Sequence, residues 1–136
     1  MFRFVVRHLR WLARVPFAPQ FFDALLLAWT ALFHRKRLHA IEALEAGALQ
    51  LAGVRRTTHR FGGIGFERDG LEFAHVHGNG LLDILLTRER ASEVVAAGQA
   101  EPHHVFGPSA WISLRLLTPD DCGPALLLMH EAARAA

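Results

Sequence analysis

The sequence has few sulfur-containing groups, because its 136 residues include one cysteine, Cys122, and two methionines. A lone cysteine excludes a disulfide framework within the chain and a zinc site built from cysteines. This cysteine usage is typical of a reducing compartment, so we expect a cytoplasmic protein. Hydrophobic residues make up 51% of the chain and charged residues 21%, which indicates a globular domain with a core of its own rather than a disordered chain.

The sequence also lacks a long apolar run. A membrane-spanning helix needs about 20 apolar residues, whereas the best candidate, FFDALLLAWTALF at residues 21–33, has 13 and contains Asp23. The first residues do not resemble a signal peptide, because four arginines interrupt them and no small-residue cleavage site follows. We therefore expect neither a transmembrane helix nor a secretory leader.

Two common catalytic patterns are missing as well. No serine lies in a nucleophile elbow, and Cys122 lies beside two aspartates that would raise the pKa of its thiol. The FGGIGF stretch at residues 61–66 has too few glycines for a phosphate loop and opens no predicted helix. These absences disfavour hydrolases of the Ser/His/Asp or Cys/His type and nucleotide-binding proteins.

Positive charge is concentrated in the first 60 residues, which carry ten Arg and Lys against three Asp and Glu. Four arginines follow one another at helical steps and form one stripe opposite Trp, Phe and Leu: Arg3, Arg7, Arg10 and Arg14. The pattern is typical of a helix in a membrane interface, and also of helices that pack on a core with arginines in water. We expect residues 1–35 to contact an anionic membrane surface, at the inner face of the membrane, or to pack on the domain. Nucleic acid is disfavoured as a partner, because no aromatic platform accompanies the basic residues.

Hydrophobic periodicity divides the chain into two predicted segments, a helical one over residues 1–52 and an α+β domain over 53–136. The second segment begins with alternating residues and continues through several strands separated by turn signals such as Asp69-Gly70. Further helices are predicted at 88–98 and from Thr118 to the end, where Thr118 is a suitable N-cap. The predicted fold class is α+β: N-terminal helices followed by an antiparallel β-meander, with two further helices packed on one face of the sheet.

The stretch LEFAHVHGNGLLDI, residues 71–84, predicts a hairpin that carries two histidines and an aspartate. On a regular strand Phe73, His75 and His77 share one face. A three-residue loop, 78–80, would place His75 opposite Asp83 on that face, with Gly80 in the left-handed conformation that such a loop requires. A two-residue turn would instead place Val76 opposite the aspartate. We favour the three-residue loop.

Three interpretations of these polar residues stay open at this stage: a metal site, an acid–base or ligand-binding site, and a polar hairpin without chemistry. His75, His77 and Asp83 are the ligand types of a facial Fe(II) or open zinc site. Without metal, an imidazole held by a carboxylate can accept a proton from an acidic hydroxyl. Further residues could join these three or line the site around them: His59, Arg60, Phe66, Phe73, His103, His104, Trp111 and Arg115.

Three blocks, HRFGG, AHVHG with a following Asp, and AEPHH with a following Trp, occur in order within residues 53–132. With the closing helix, this part of the chain resembles the luciferase-domain family, which comprises bacterial proteins of mostly unassigned function and the fungal luciferases. The fungal members share the HxH strand, the tryptophan-led strand and a hydrophobic N-terminal segment associated with membranes.

The resemblance implies an oxygen-dependent oxidoreductase that acts on an enolisable aromatic or hydroxypyrone-like compound, because the fungal enzymes add molecular oxygen to a hydroxylated pyrone. Carried over by position, His75, His77, Asp83 and His103 become catalytic candidates, and Trp111 lines the site. The resemblance requires no cofactor beyond molecular oxygen as co-substrate, and Fe or Zn remains an alternative. The AEPHH block resembles the bacterial branch, so we expect another small aromatic or enolic substrate rather than light emission. A non-catalytic ligand-binding or membrane-surface accessory protein is the alternative function.

Overall fold

A computed structural model describes residues 17–103 and 109–136 of the chain. Two predictions from the sequence, the basic helix over residues 1–15 and the role of His104, lie outside these residues. The described chain contains four α-helices and a six-stranded sheet, so the predicted α+β class is confirmed.

Two helices come first, as predicted. Helix α1 spans Ala18–Phe33, and α2 spans Arg35–Ala48. Proline is tolerated in the first turn of a helix because its missing N–H has no intrahelical partner there, and Pro19 occupies this position in α1. The predicted division of the chain near residue 52 stays a prediction, although α1 packs against α2 and α2 packs against the last helix.

The remaining elements are six strands and two further helices. The strands are β1 (Arg55–Thr58), β2 (Ile64–Arg68), β3 (Leu71–Val76), β4 (Leu81–Leu85), β5 (Glu101–Pro102) and β6 (Trp111–Arg115). Helix α3 spans Arg88–Ala96, and α4 spans Cys122–Ala135. Every neighbouring pair of strands is antiparallel, in the order β1-β2-β3-β4-β6-β5. The sequence had predicted a loop at 101–102, where β5 forms the edge of the sheet.

The start of the last helix is more gradual than a simple N-cap. Thr118 caps a short 3-10 turn at Pro119–Asp121 through reciprocal hydrogen bonds with Asp121, and α4 then begins at Cys122. The Cys122 thiol is buried and donates a hydrogen bond to the Ala40 carbonyl. Burial, together with the Asp121 charge, raises the pKa of this thiol, as the sequence predicted.

The core lies between one face of the sheet and the helices. Its fully buried members include Leu44 of α2, Leu82 and Ile84 of β4, Ile112 of β6 and Met129 of α4. The residues next to these core residues along each strand point to the other face of the sheet, because successive side chains of a strand alternate between the two faces. That other face carries the polar residues described below. No helix in the described ranges, 17–103 and 109–136, is long and apolar enough to cross a membrane.

Candidate functional site

The hairpin between β3 and β4 has the three-residue loop that the sequence favoured. The His77 N–H donates to the Leu81 carbonyl, and the Gly80 N–H donates to the His77 carbonyl. Gly80 has a φ of 79°, which is the left-handed conformation that closes this loop. His75 is therefore the register partner of Asp83, and the two side chains meet with His75 Nε2 3.2 Å from Asp83 Oδ2.

A β-bulge brings a second carboxylate to the same face. Phe66 pairs with Ala74 and Glu67 pairs with Glu72, so Phe73 is the extra residue and the alternation of β3 reverses there. Glu72 consequently approaches His75, with Glu72 Oε1 3.2 Å from His75 Nδ1. His75 thus lies between two carboxylates.

Gly65 provides the space for this carboxylate. It is the register partner of His75 on β2. A Cβ atom added at Gly65 would lie 2.6 Å from Glu72 Oε2 and 2.6 Å from Thr57 Oγ1, which is closer than real Cβ contacts. A side chain at this position would therefore displace Glu72 from the histidines.

His59 follows β1 and joins the site by stacking on His75. The ring centroids are 3.6 Å apart and the ring planes are inclined by 9°. His59 Nδ1 lies 2.7 Å from the same Glu72 oxygen that approaches His75. Because an ionised carboxylate only accepts hydrogen bonds, Nδ1 of His59 is the donor and the neutral ring is left with Nε2 as its acceptor.

His77 is held from the other side by the N-terminal helix. Asp23 of α1 is buried, and its Oδ1 lies 3.1 Å from His77 Nδ1. The same oxygen accepts a hydrogen bond of 3.0 Å from the Gly78 N–H in the hairpin loop. Helix α1 is therefore tied directly to the histidine cluster through a buried aspartate.

Asp83 contacts His103 and Ser113 as well as His75. It accepts a hydrogen bond from the Ser113 hydroxyl of β6, and His103 Nε2 lies 3.6 Å from its Oδ2. Trp111, also on β6, lies beside both histidines, with ring centroids 5.3 Å from His75 and 6.2 Å from His103.

The surroundings shift the pKa values of the two stacked rings, His59 and His75, in opposite directions. Burial lowers the pKa of His59 more than its hydrogen bond with Glu72 raises it, so its pKa is below the ordinary value. Burial also disfavours the charged form of His75, but the close carboxylates of Asp83 and Glu72 outweigh it and raise the pKa of His75. Neighbouring groups with opposite shifts are typical of acid–base sites.

Both carboxylates stay ionised for the same reason. Burial alone would raise the pKa of Asp83, but the nearby rings of His103 and His75 and the hydrogen bond from Ser113 hold it well below its usual range. Burial likewise opposes the charge on Glu72, but hydrogen bonds from His59 and His75 lower its pKa to about 2. The site is therefore an array of alternating imidazoles and carboxylates.

The cluster contains donor atoms that could hold a metal ion. Nitrogens of His59, His75 and His77 lie within 4.8 Å of one another. The sequence had named Asp83 as the third member beside His75 and His77, and the structure brings His59 to that position. A ring nitrogen binds a metal in its own ring plane, and one ion cannot lie in both planes of two parallel stacked rings. His59 or His75 would have to rotate before both bound the same ion.

The other residues named from the sequence are distributed over the fold. Phe66 and Phe73 are fully buried members of the core cluster. Arg60 is exposed and lies over the Phe61 ring, while Arg115 is exposed and pairs with Glu101 on the neighbouring strand. The roles of these four residues in ligand binding stay predictions.

Sequence reasoning missed three members of the site: Asp23, Glu72 and Ser113. Asp23 carried a signal, because a single acidic residue within an apolar helix is buried only with a partner. Glu72 carried none, since regular alternation places it on the face opposite His75. Ser113 could have been found only from the register of β6 against β4, in which it opposes Asp83.

Comparison with known protein families gives one match. Residues 70–132 match the family model described as Luciferase domain, and these residues include the hairpin, β6 and most of α4. Comparisons with curated proteins and with solved structures gave no significant match. The resemblance seen in the sequence is thereby confirmed, and residues 70–132 are similar to the luciferase-domain family.

Proposed function

We propose that this chain is an oxygen-dependent oxidoreductase that acts on an enolisable aromatic or hydroxypyrone-like compound at the histidine cluster. The observation that carries the proposal is a set of four buried histidines, each close to a carboxylate: His59, His75, His77 and His103. Their exposed fractions lie between 6% and 9%. Burying four imidazoles and two carboxylates, Asp23 and Asp83, is costly for a fold that needs only a packed sheet, which supports a chemical role.

His59 and His77 are the proposed bases. In each ring Nδ1 faces a carboxylate, from Glu72 and Asp23 respectively. The carboxylate fixes the tautomer and the orientation of the ring, so Nε2 is the nitrogen that accepts a proton. This is the role that the carboxylate has in other carboxylate–histidine pairs, where it stabilises the imidazolium that forms.

His75 has a different part. Two carboxylates face its two nitrogens, and they favour its protonated form. A fixed imidazolium next to the proposed bases would stabilise an anion that develops on the substrate, because charge interactions strengthen where water is excluded. Asp83 and Glu72 are then positioning residues that keep the charge of His75 in place.

The proposed step is balanced with molecular oxygen as the only co-substrate. The base takes the proton of the substrate hydroxyl, and the electron pair of the O–H bond stays on the substrate as an enolate. The enolate carbon gives two electrons to oxygen as a C–O bond forms, so the substrate is oxidised and oxygen is reduced to a peroxide. The peroxide anion then takes the proton back from the imidazolium. Exclusion of water by the buried site would protect the anion from competing reactions.

Oxygen uptake with a panel of enolisable hydroxypyrones and hydroxyaromatic compounds tests the proposal. His77→Ala and His59→Ala should each lower the rate by about 100-fold, the usual contribution of a general base. His130→Ala is the control, since His130 is exposed on α4. Near-ultraviolet circular dichroism checks that each variant is folded.

Two results would contradict the proposal. Compounds that bind the wild-type protein without any oxygen uptake would make the chain a non-catalytic ligand-binding protein. Uptake that persists at the wild-type rate in both folded histidine variants would remove the histidine cluster from the chemistry.

A further inference from the structure

Helix α1 has its polar residues inside and its apolar residues outside. Asp23 and Thr30 are buried at 7% and 1% exposure, whereas Phe21, Leu25, Trp29 and Leu32 are between 53% and 73% exposed. At 100° per residue the four exposed side chains lie along one side of the helix. A helix on the surface of a globular protein shows the opposite arrangement.

This apolar face is unusual within the molecule as a whole. Of the twelve exposed large hydrophobic residues in the described ranges, seven lie between residues 17 and 33. A contiguous apolar patch of this kind marks an interaction surface, because scattered exposed hydrophobics are normal but clustered ones are not. The patch includes Trp29 and Phe33, whose rings contact each other with centroids 4.3 Å apart.

The charges beside the patch have one sign. The helix ends at Phe33, and His34, Arg35 and Lys36 follow it directly on exposed positions. Asp23 is the one acidic residue between residues 17 and 37, and it faces His77 in the interior. The exposed surface of α1 and of the first residues of α2 therefore combines aromatic and aliphatic side chains with an uncompensated positive charge.

The charge also decides between occupants of the patch. A second copy of the chain would bring a second set of Arg35 and Lys36 against the first. Residues 1–16 carry four more arginines and no acidic residue, so they too would add positive charge. An anionic lipid surface supplies both an apolar layer for the side chains and the opposite charge.

We propose that α1 is an interfacial anchor, which lays its outer face into the headgroup region of an anionic membrane. Phe21, Leu25, Trp29 and Leu32 enter the boundary of the acyl chains, and Arg35 and Lys36 contact the headgroups. The same helix holds His77 through Asp23 on its inner face, so the histidine cluster lies one helix away from the lipid. The inference stands independently of the proposed oxidation, because it rests on the outer face of α1 and on the first basic residues of α2.

Sedimentation of the full chain with vesicles tests the anchor. Vesicles of phosphatidylcholine mixed with phosphatidylglycerol should bind the protein, less at high salt, and phosphatidylcholine alone should bind it weakly. Leu25→Ser combined with Trp29→Ser should lower the partition coefficient by about tenfold or more. Leu117→Ser combined with Leu127→Ser is the matched control, because both leucines are exposed elsewhere and should leave partitioning unchanged.

A second pair of variants tests the charges. Arg35→Gln combined with Lys36→Gln should weaken binding by about fivefold for each charge removed and flatten the salt dependence. Arg88→Gln combined with Arg134→Gln, two exposed arginines on α3 and α4, should change neither quantity.

Three results would contradict the proposal that α1 is a membrane anchor. The first is a lack of binding to anionic vesicles at low salt, which would leave an acidic protein or a second copy of the chain as the partner of the patch. Unchanged binding in the Leu25/Trp29 variant, with loss in a Trp11→Ser and Leu12→Ser variant, would assign the contact to the preceding segment. Equal binding to neutral and anionic vesicles would contradict the role of Arg35 and Lys36.

Discussion

Asp23 and His77 are separated by 54 positions in the sequence, yet Asp23 Oδ1 lies 3.1 Å from His77 Nδ1 in the interior of the protein. The carboxylate belongs to the first described helix and the imidazole to the end of the central hairpin. This contact connects α1 to the histidine cluster. Its effect on stability can be compared with that of a carboxylate–histidine contact of the same length on the surface.

Asp23→Asn should destabilise the protein by about 1–3 kcal/mol, because an amide replaces a buried charge that accepts hydrogen bonds from His77 and the Gly78 N–H. The free energy of unfolding in urea measures this effect. Glu42→Gln is the control, since Glu42 Oε2 lies 3.1 Å from His39 Nδ1 in an exposed pair. This control should change stability by less than about 0.5 kcal/mol. Equal effects of the two substitutions would show that Asp23 has no structural role in the cluster.

Gly65→Ala should separate Glu72 from the histidines, because the new methyl group would lie 2.6 Å from Glu72 Oε2 and force that carboxylate to move. We expect the His59 ring to lose its fixed tautomer, which ¹⁵N chemical shifts of the imidazole report. Gly123→Ala is the matched change, since no atom lies within 4 Å of a Cβ at Gly123 and alanine favours a helix. Identical imidazole shifts in the wild type and Gly65→Ala would contradict the tight contact.

Stability should fall at acid pH partly through Glu72. Its pKa is lowered from 4.5 to about 2 in the folded protein, so its contribution is complete above pH 4.5 and is lost as the pH falls through about 2. The free energy of unfolding should therefore decline less steeply in Glu72→Gln than in the wild type over this range. Glu89→Gln, an exposed change on α3, should keep the wild-type slope. A wild-type slope in Glu72→Gln would contradict the assignment.

Removal of metal ions should leave oxygen uptake unchanged, because the stacked planes of His59 and His75 do not converge on one ion. Elemental analysis of protein purified without chelators, before and after dialysis against a chelator, measures the metal content beside the rate. Near-stoichiometric iron or zinc that disappears in His59→Ala, together with loss of uptake on dialysis, would show that the rings rotate and bind a metal.

The hairpin was predictable because its geometry is local. Gly80 permits a three-residue loop, and that loop determines that His75 faces Asp83. The contact between Glu72 and His75 was not predictable, because the bulge at Phe73 reverses the alternation of β3. Regular alternation would place Phe73 beside His75, whereas the structure places this ring in the core.

Helix α1 was predictable only in part. Its length and apolar character were evident from the sequence, but which side of the helix faces the interior was not. A lone aspartate among leucines is compatible with an exposed residue on a surface helix or with a buried partner for a distant histidine. Only the packing of α1 against the hairpin loop distinguishes the two, since Asp23 contacts both His77 and Gly78.

Asp23 and His59 also have a consequence for grouping relatives of this protein. Both precede residue 70, where the match to the family model begins. A sequence comparison limited to the matched segment therefore does not include either residue. A recombinant fragment trimmed to residues 70–132 would keep His75 and Asp83 but omit the partners of His77 and Glu72. Relatives are therefore better sorted by whether their preceding helix supplies an acidic residue and whether a histidine follows their first strand than by the matched segment itself.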